Sequence, residues 1–272
     1  MGDADAVVSL TSYGDRLRYA PVAIESIGLG SVRPRRLILW LADGESVNPS
    51  LRRLERRGLE IRHCADLGPH KKYWPYVAQC LGPAVADSAQ LPLVTADDDV
   101  FYPRHWLSEL VAVSKSEPGS VVCHRARTFG IANGVPVPYS SWHLCSSDRA
   151  SYRNVATGVG GTLYPRSLQS AIFRYGQGFV ESAPHADDLW LHWIAVKEGF
   201  PTRQVRSRPL RERVIPGTQA GALWLTNVEQ GKNDLQLQRT YDSIALARIE
   251  LSSTVDDSFV GELQTLEETK SD

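Results

Sequence analysis

Two groups of carboxylates stand out by residue type and spacing. Residues 91–103 read LPLVTADDDVFYP: an apolar run leads into Asp97, Asp98 and Asp99, and the chain turns apolar again at Val100. Adjacent carboxylates repel one another and are costly at the end of a buried strand unless a cation neutralises them. Hard divalent ions such as Mg2+ or Mn2+ prefer oxygen ligands, and Mg2+ commonly takes one or two carboxylates plus phosphate oxygens. In an extended segment Asp97 and Asp99 point one way and Asp98 the other, so one pair can share a metal and ribose site. A solvated acidic turn, or a helix cap before Pro103, is the plainer reading, and the apolar flanks on both sides weigh against it. The second group is Asp187 and Asp188 in HADDLWLHW. Capping a helix with two carboxylates contributes about 1 kcal/mol and needs no chemistry, and taken alone that reading suffices for the second group.

Other candidates lie around these groups. SLTSYGDR offers the hydroxyls of Thr11 and Ser12, the ring of Tyr13 and the guanidinium of Arg16, or else forms a plain strand-to-helix turn capped by Asp15. GPHKKYWPYVAQ places Lys71 and Lys72 just before the aspartate strand, where a lysine can meet a phosphate as a point charge or sit on a solvated helix start. Arg203, Arg206, Arg208, Arg211 and Arg213, with Lys232 later, can close over an anionic group or remain solvated. His185 and His192 read as structural. Trp142, Trp190 and Trp224 can present flat ring surfaces to a ligand, with core packing favoured for Trp190.

The elements that must position these residues follow from periodicity and punctuation. AVVSLTS reads as a strand and RYAPVAIESIG as a helix, with Val22, Ile24 and Ile27 inward and Gly28 to Gly30 ending it. RLILWLA is apolar enough for a strand buried on both faces. NPSLRRLERRG is an amphipathic helix with Leu51 and Leu54 inward and Gly58 as cap. LEIRHC is a third strand, KKYWPYVAQCLG a helix with Pro75 in its first turn, LPLVTA a fourth strand, and the segment from Pro103 to Gly119 a helix. Four β–α alternations in the first 120 residues predict a parallel sheet covered by helices, with ligands beyond the carboxyl ends of the strands. The aspartates fall there. Beyond residue 120 the pattern loosens: GSVVCHRAR is a strand, TGVGGTLYP a glycine-rich strand or turn, and ADDLWLHWIAVKEGF a strong helix.

The chain has 272 residues, 42% hydrophobic and 22% charged, with a net charge of −1. That suits one large α/β domain and gives no global reason to expect nucleic acid as a partner. Cys64, Cys80, Cys123 and Cys145 form no CxxC motif and read as reduced thiols of a cytoplasmic protein. No apolar run approaches the ~20 residues of a membrane span, and MGDADAVVSL reads as neither a signal peptide nor a myristoylation site. A peripheral position on a membrane surface is compatible with these features.

Taken together, VVSLTSYGDR, HKKYWPYVA, VTADDDVFYP, TGVGGTLYP and HADDLWLHWIAVKEG span residues 7–200 in an order that resembles GT-A-fold glycosyltransferases of the broad family-2-like kind, with some similarity to exostosin-type transferases. The DxD motif alone is weak; the ordered set is stronger. The resemblance implies a Rossmann-like, mostly parallel sheet flanked by helices, in one domain with a smaller acceptor-side subregion. It implies transfer of a sugar from a nucleoside-diphosphate donor with Mn2+ or Mg2+. Asp99 would bind the metal with help from Asp97, and Asp98 would contact ribose or sugar. Thr11, Ser12, Tyr13 and Arg16 would cradle the nucleotide, Lys71 and Lys72 would touch it, and Gly160 and Gly161 would let backbone approach the donor sugar. Asp188, beside Asp187, would be the general base of an inverting reaction; in a retaining one the pair would position the acceptor or stabilise the sugar cation. Relatives often supply a late histidine to the metal, and none follows His192 here.

On this reading residues 1–120 form the nucleotide-sugar-binding half, 121–250 the acceptor-binding and catalytic half, and 251–272 an acidic tail expected to be partly disordered or weakly helical. The acceptor is an unspecified glycan, lipid-linked or protein hydroxyl. Two rival readings are a nucleotidyltransferase on a similar fold, which needs a glycine-rich loop with Arg and Lys after the first strand that SLTSYGDRLRYAP lacks, and a non-catalytic sugar- or metal-binding protein.

Overall fold

The computed structural model describes residues 2–81, 91–218 and 231–252. In chain order the elements are β1 (Gly2–Thr11), α1 (Ala20–Gly28), β2 (Val32–Ala42), α2 (Pro49–Glu55), β3 (Leu59–Cys64), α3 (Trp74–Leu81), β4 (Leu93–Ala96), α4 (Trp106–Ser116) and β5 (Val121–Cys123). They continue with β6 (Ala126–Thr128), β7 (Ile131–Ala132), β8 (Val135–Pro136), β9 (Asn154–Ala156), β10 (Thr162–Tyr164), α5 (Arg166–Tyr175), α6 (Phe179–Ser182), α7 (Asp187–Lys197), β11 (Thr202–Gln204) and α8 (Lys232–Thr240).

Seven strands form one sheet in the order β11-β5-β10-β4-β1-β2-β3. All neighbours pair in parallel except β10, which runs antiparallel to both β4 and β5. The expected α/β architecture, a mostly parallel sheet flanked by helices, is therefore present, and the sheet continues across residue 120.

Both faces are covered, which is why the central strands are apolar without alternation. Successive residues of β1 and β2 feed opposite cores: Val7, Ile38 and Trp40 pack with α5 and α7 residues such as Ile172 and Ile194. Val8, Leu39 and Leu41 pack with Ile24, Leu51 and Leu110 from α1, α2 and α4. Asn48 caps α2 by accepting from the Leu51 N–H at 2.9 Å. Val22, expected inward, is 42% exposed; Ala20, Ala23, Ile24 and Ile27 make the buried stripe instead.

All four cysteines are free, and no helix among the described residues is long and apolar enough to cross a membrane. Within the acidic tail, Leu251 and Ser252 are helical; residues 253–272, and Trp224, lie outside the described residues.

Candidate active site

The site forms at one end of the sheet, where β1 and β4 finish and β10 begins. β4 stops at Ala96, and Asp98 and Asp99 occupy a turn. The alternation expected of an extended strand therefore fails: Asp98 and Asp99 share one cation and Asp97 takes another. Arg16 holds the first pair. Its Nε is 3.2 Å from both Asp98 oxygens, its Nη2 bonds Asp98 Oδ1, and the same Nη2 lies 2.9 Å from Asp99 Oδ2. Ser12 Oγ donates to Asp98 at 2.6 Å, and Arg16 Nη1 donates to the Thr218 carbonyl at 3.2 Å. Asp98 is buried, and this arrangement satisfies it fully.

Asp97 turns the other way. Its carboxylate lies 2.7 Å from Lys72 Nζ, while its N–H donates to the Tyr102 hydroxyl at 2.7 Å. Lys72 also reaches Asp187 at 3.1 Å. Only 8% exposed, it is a buried ammonium shared by two acidic motifs. Burial alone would lower its pKa, but Asp187, Asp97 and Asp188 hold it well above the ordinary lysine value.

Asp187 and Asp188 open α7, where carboxylates are favoured by the helix dipole. Asp188 accepts from the Gly158 N–H at 3.0 Å. Burial and then the neighbouring Asp187 push its pKa up to about 7, against the opposing pull of Lys72 and the Gly158 N–H. It retains some exposure, whereas Asp187 is buried. Gly158 is the joint of the whole arrangement. A Cβ there would stand 3.1 Å from Lys72 Nζ, 3.3 Å from Asp188 Oδ1 and 3.4 Å from Asp97 Oδ1, so a side chain would crowd all three groups where they converge.

Several expected residues lie elsewhere or are already engaged. Lys71 is buried against Asp66 rather than beside the aspartates. Gly160 and Gly161 meet packing demands: a Cβ on Gly160 would lie 2.7 Å from Arg125 Cβ, and one on Gly161 would overlap the Trp106 indole, at a φ of 82°. Trp106 Nε1 also donates to the Gly160 carbonyl at 2.8 Å. The bare backbone at the carboxylates is Gly158, two residues earlier. Thr11 spends its hydroxyl on the Trp40 carbonyl at 2.8 Å. Tyr13 is exposed, with the Arg16 guanidinium 5.8 Å from its ring centroid. Trp142 and Trp190 are both buried; Trp142 packs on Phe129, ring centroids 4.4 Å apart. His192 is buried between the Tyr241 hydroxyl and the Tyr152 carbonyl, at 2.7 and 3.0 Å.

Tyr102 and Gly158 were not anticipated. The tyrosine lies in the flank DDDVFYP, and only its contact with Asp97 reveals its part. The glycine lies in TGVGG, where three glycines compete and spacing does not choose among them.

Among the described residues no group of three or more His, Cys, Asp or Glu stands ready to hold a metal ion. The donor chemistry of Asp97 and Asp99 nevertheless suits a hard cation. Burial, and then repulsion from Asp97, raises the Asp99 pKa. A divalent ion held by both would relieve that repulsion, and one or two carboxylates are what Mg2+ commonly takes from a protein.

No protein-family model and no curated protein matches the chain. Among solved structures it is similar to a glucosyl-3-phosphoglycerate synthase from Mycobacterium tuberculosis in complex with Mn2+, UDP and glucosyl-3-phosphoglycerate, at 15% identity and a TM-score of 0.49, covering 87% of this chain and 80% of that one. It is similar to TarS 1–349 from S. aureus in complex with UDP, at 15% identity and a TM-score of 0.49, covering 75% of this chain and 59% of that one. A third is a 4-diphosphocytidyl-2C-methyl-D-erythritol synthase, at 10% identity and a TM-score of 0.47, covering 82% of this chain and 99% of that one.

Proposed function

We propose that the chain is a glycosyltransferase that moves a sugar from a nucleoside-diphosphate donor to an acceptor hydroxyl, on a GT-A-type sheet and with a divalent metal. The observation that carries this reading is the meeting of two acidic motifs: the aspartates beyond β4 and the acidic pair opening α7 converge on Lys72 and Gly158.

Asp99 and Asp97 would hold Mn2+ or Mg2+, which when bound neutralises the charge that develops on a departing diphosphate. Asp98, buried and bonded to Ser12 and Arg16, fixes the Arg16 guanidinium beside Asp99, and a ribose or sugar hydroxyl would meet this edge of the site through that guanidinium. Asp188 takes the proton of the acceptor hydroxyl. Its pKa of about 7 suits that task, because a base works best with a pKa near the operating pH. Lys72 keeps the two motifs at a fixed separation, so that donor and acceptor are oriented by one rigid unit.

The test is a screen of nucleotide sugars against the full chain with Mn2+, Mg2+ or EDTA. Thermal shift reads binding, and slow donor hydrolysis or transfer to supplied acceptors reads chemistry. A metal-dependent rise in melting temperature with one nucleotide sugar, abolished by EDTA, is expected. No shift with any nucleotide or nucleotide sugar under either metal overturns the proposal.

A further inference from the structure

A cavity of about 300 Å³ opens between the start of α4 and residues 206–211, and none of the site aspartates lines it. Trp106, Pro209 and Leu210 supply apolar surface; Arg206, Arg208 and Arg211 supply three guanidinium groups. One charge is answered: Arg206 pairs with Glu109. Arg208 and Arg211 have no carboxylate partner among the described residues, and both are exposed. His124 adds no charge. It is 5% exposed, its Nε2 faces the Trp106 carbonyl at 2.8 Å, and its Nδ1 is 3.9 Å from Glu109; burial lowers its pKa.

The walls thus carry three positive charges against one negative. The strand of chain bearing them is held by backbone bonds. Leu210 N–H donates to the His124 carbonyl at 2.8 Å, and Phe101 N–H to the Arg213 carbonyl at 2.8 Å. Unanswered guanidinium groups on a fixed backbone, at the mouth of a part-apolar cavity, are a recognition device for a tetrahedral oxyanion. The volume lies at the small end of the range for small-molecule sites.

We propose that this cavity is a second binding site, separate from the aspartate cluster, for a phosphate group, carried either as free phosphate or as a small phosphate monoester. The inference is independent of the sugar-transfer reading.

The experiment uses the full chain in EDTA at constant ionic strength, so that no metal bridges phosphate to the aspartates. Inorganic phosphate, glucose 6-phosphate and neutral glucose are titrated by calorimetry and thermal shift. Saturable binding of one or both phosphates, and none of glucose, is expected; whichever phosphate saturates at the lower concentration identifies the source. Arg208→Gln/Arg211→Gln should weaken that binding at least tenfold. Arg53→Gln/Arg56→Gln, which removes the same charge from the exposed end of α2 and the residue that follows it, should leave it unchanged. Absence of phosphate binding in the wild type, equal binding in the Arg208/Arg211 variant, or equal loss in both variants overturns the proposal.

Discussion

The Nζ of Lys72 lies 3.1 Å from Asp187 Oδ2, and the same atom lies 2.7 Å from Asp97. A lysine that sequence reasoning offers to a phosphate is thus committed, in the fold, to joining the aspartate turn after β4 to the head of α7. A buried ammonium is tolerated only when opposed carboxylates repay its lost hydration.

Removing that ammonium should therefore be severe. Lys72→Met leaves the buried Asp187 and the half-buried Asp97 and Asp188 clustered without a counter-charge, and should cost about 3 kcal/mol. Chemical denaturation checks this. The double variant Lys72→Met/Asp187→Asn should recover part of the loss, since one of the stranded charges is gone; a double variant less stable than the single would contradict the pairing.

Asp188→Asn preserves shape and can still accept from the Gly158 N–H. It should keep metal-dependent nucleotide binding while transfer falls by roughly 10²–10⁴-fold. A base must be unprotonated to act, so wild-type turnover should rise as pH climbs through about 7, and this limb should vanish in the variant. Steady-state rates between pH 5.5 and 8.5 decide the matter.

Asp99→Ala should behave oppositely, losing the metal-dependent part of nucleotide affinity. Isothermal titration of a nucleoside diphosphate with and without Mn2+ separates the two. Equal affinity in both conditions is expected of the variant alone.

Two glycines should fail in different ways. Gly158→Ala pushes a methyl among Lys72, Asp188 and Asp97 at 3.1–3.4 Å, so turnover should drop with little loss of melting temperature. Gly161→Ala drives its methyl into Trp106 at a φ of 82° and should destabilise the whole chain. Paired measurements of melting temperature and turnover test the contrast.

His70 and His192 should set the acid limit of stability. His70 bonds the Ala183 carbonyl and Tyr73 hydroxyl, each at 2.8 Å, and burial lowers both histidines to about 4. Unfolded, each titrates near the ordinary 6.5. Below that pH the unfolded chain takes up protons that the fold refuses, so stability present above 6.5 is lost as pH falls toward 4. The loss is on the order of 3 kcal/mol per residue. His70→Gln or His192→Gln should flatten that slope in denaturation curves taken between pH 4 and 7.

The outline of the fold was legible because buried parallel strands advertise themselves. RLILWLA and LPLVTA are apolar on every face, and Asn48, Gly58 and Pro75 punctuate the helices near where they occur. The acidic groups were legible as chemistry too. What could not be read is which charge meets which. Lys71 and Lys72 are neighbours with the same side chain, and the short helical turn over Gly68–Lys72 aims one at Asp66 and the other at Asp97. The turn at Asp98 and Asp99 broke the strand alternation because β4 ends at Ala96. The short strands β6 to β9 and β11 lack enough residues for any periodicity.

The reversal of β10 has a practical corollary. Thr162 pairs with Thr95 and Cys123, so the chain enters this strand at the rim its neighbours leave. The loop over 157–161 is consequently an inlet rather than an outlet. A change there would reach the carboxylates through Gly158 and the apolar layer through Gly161 and Trp106 at once, so this short inlet couples the rim of the sheet to its interior.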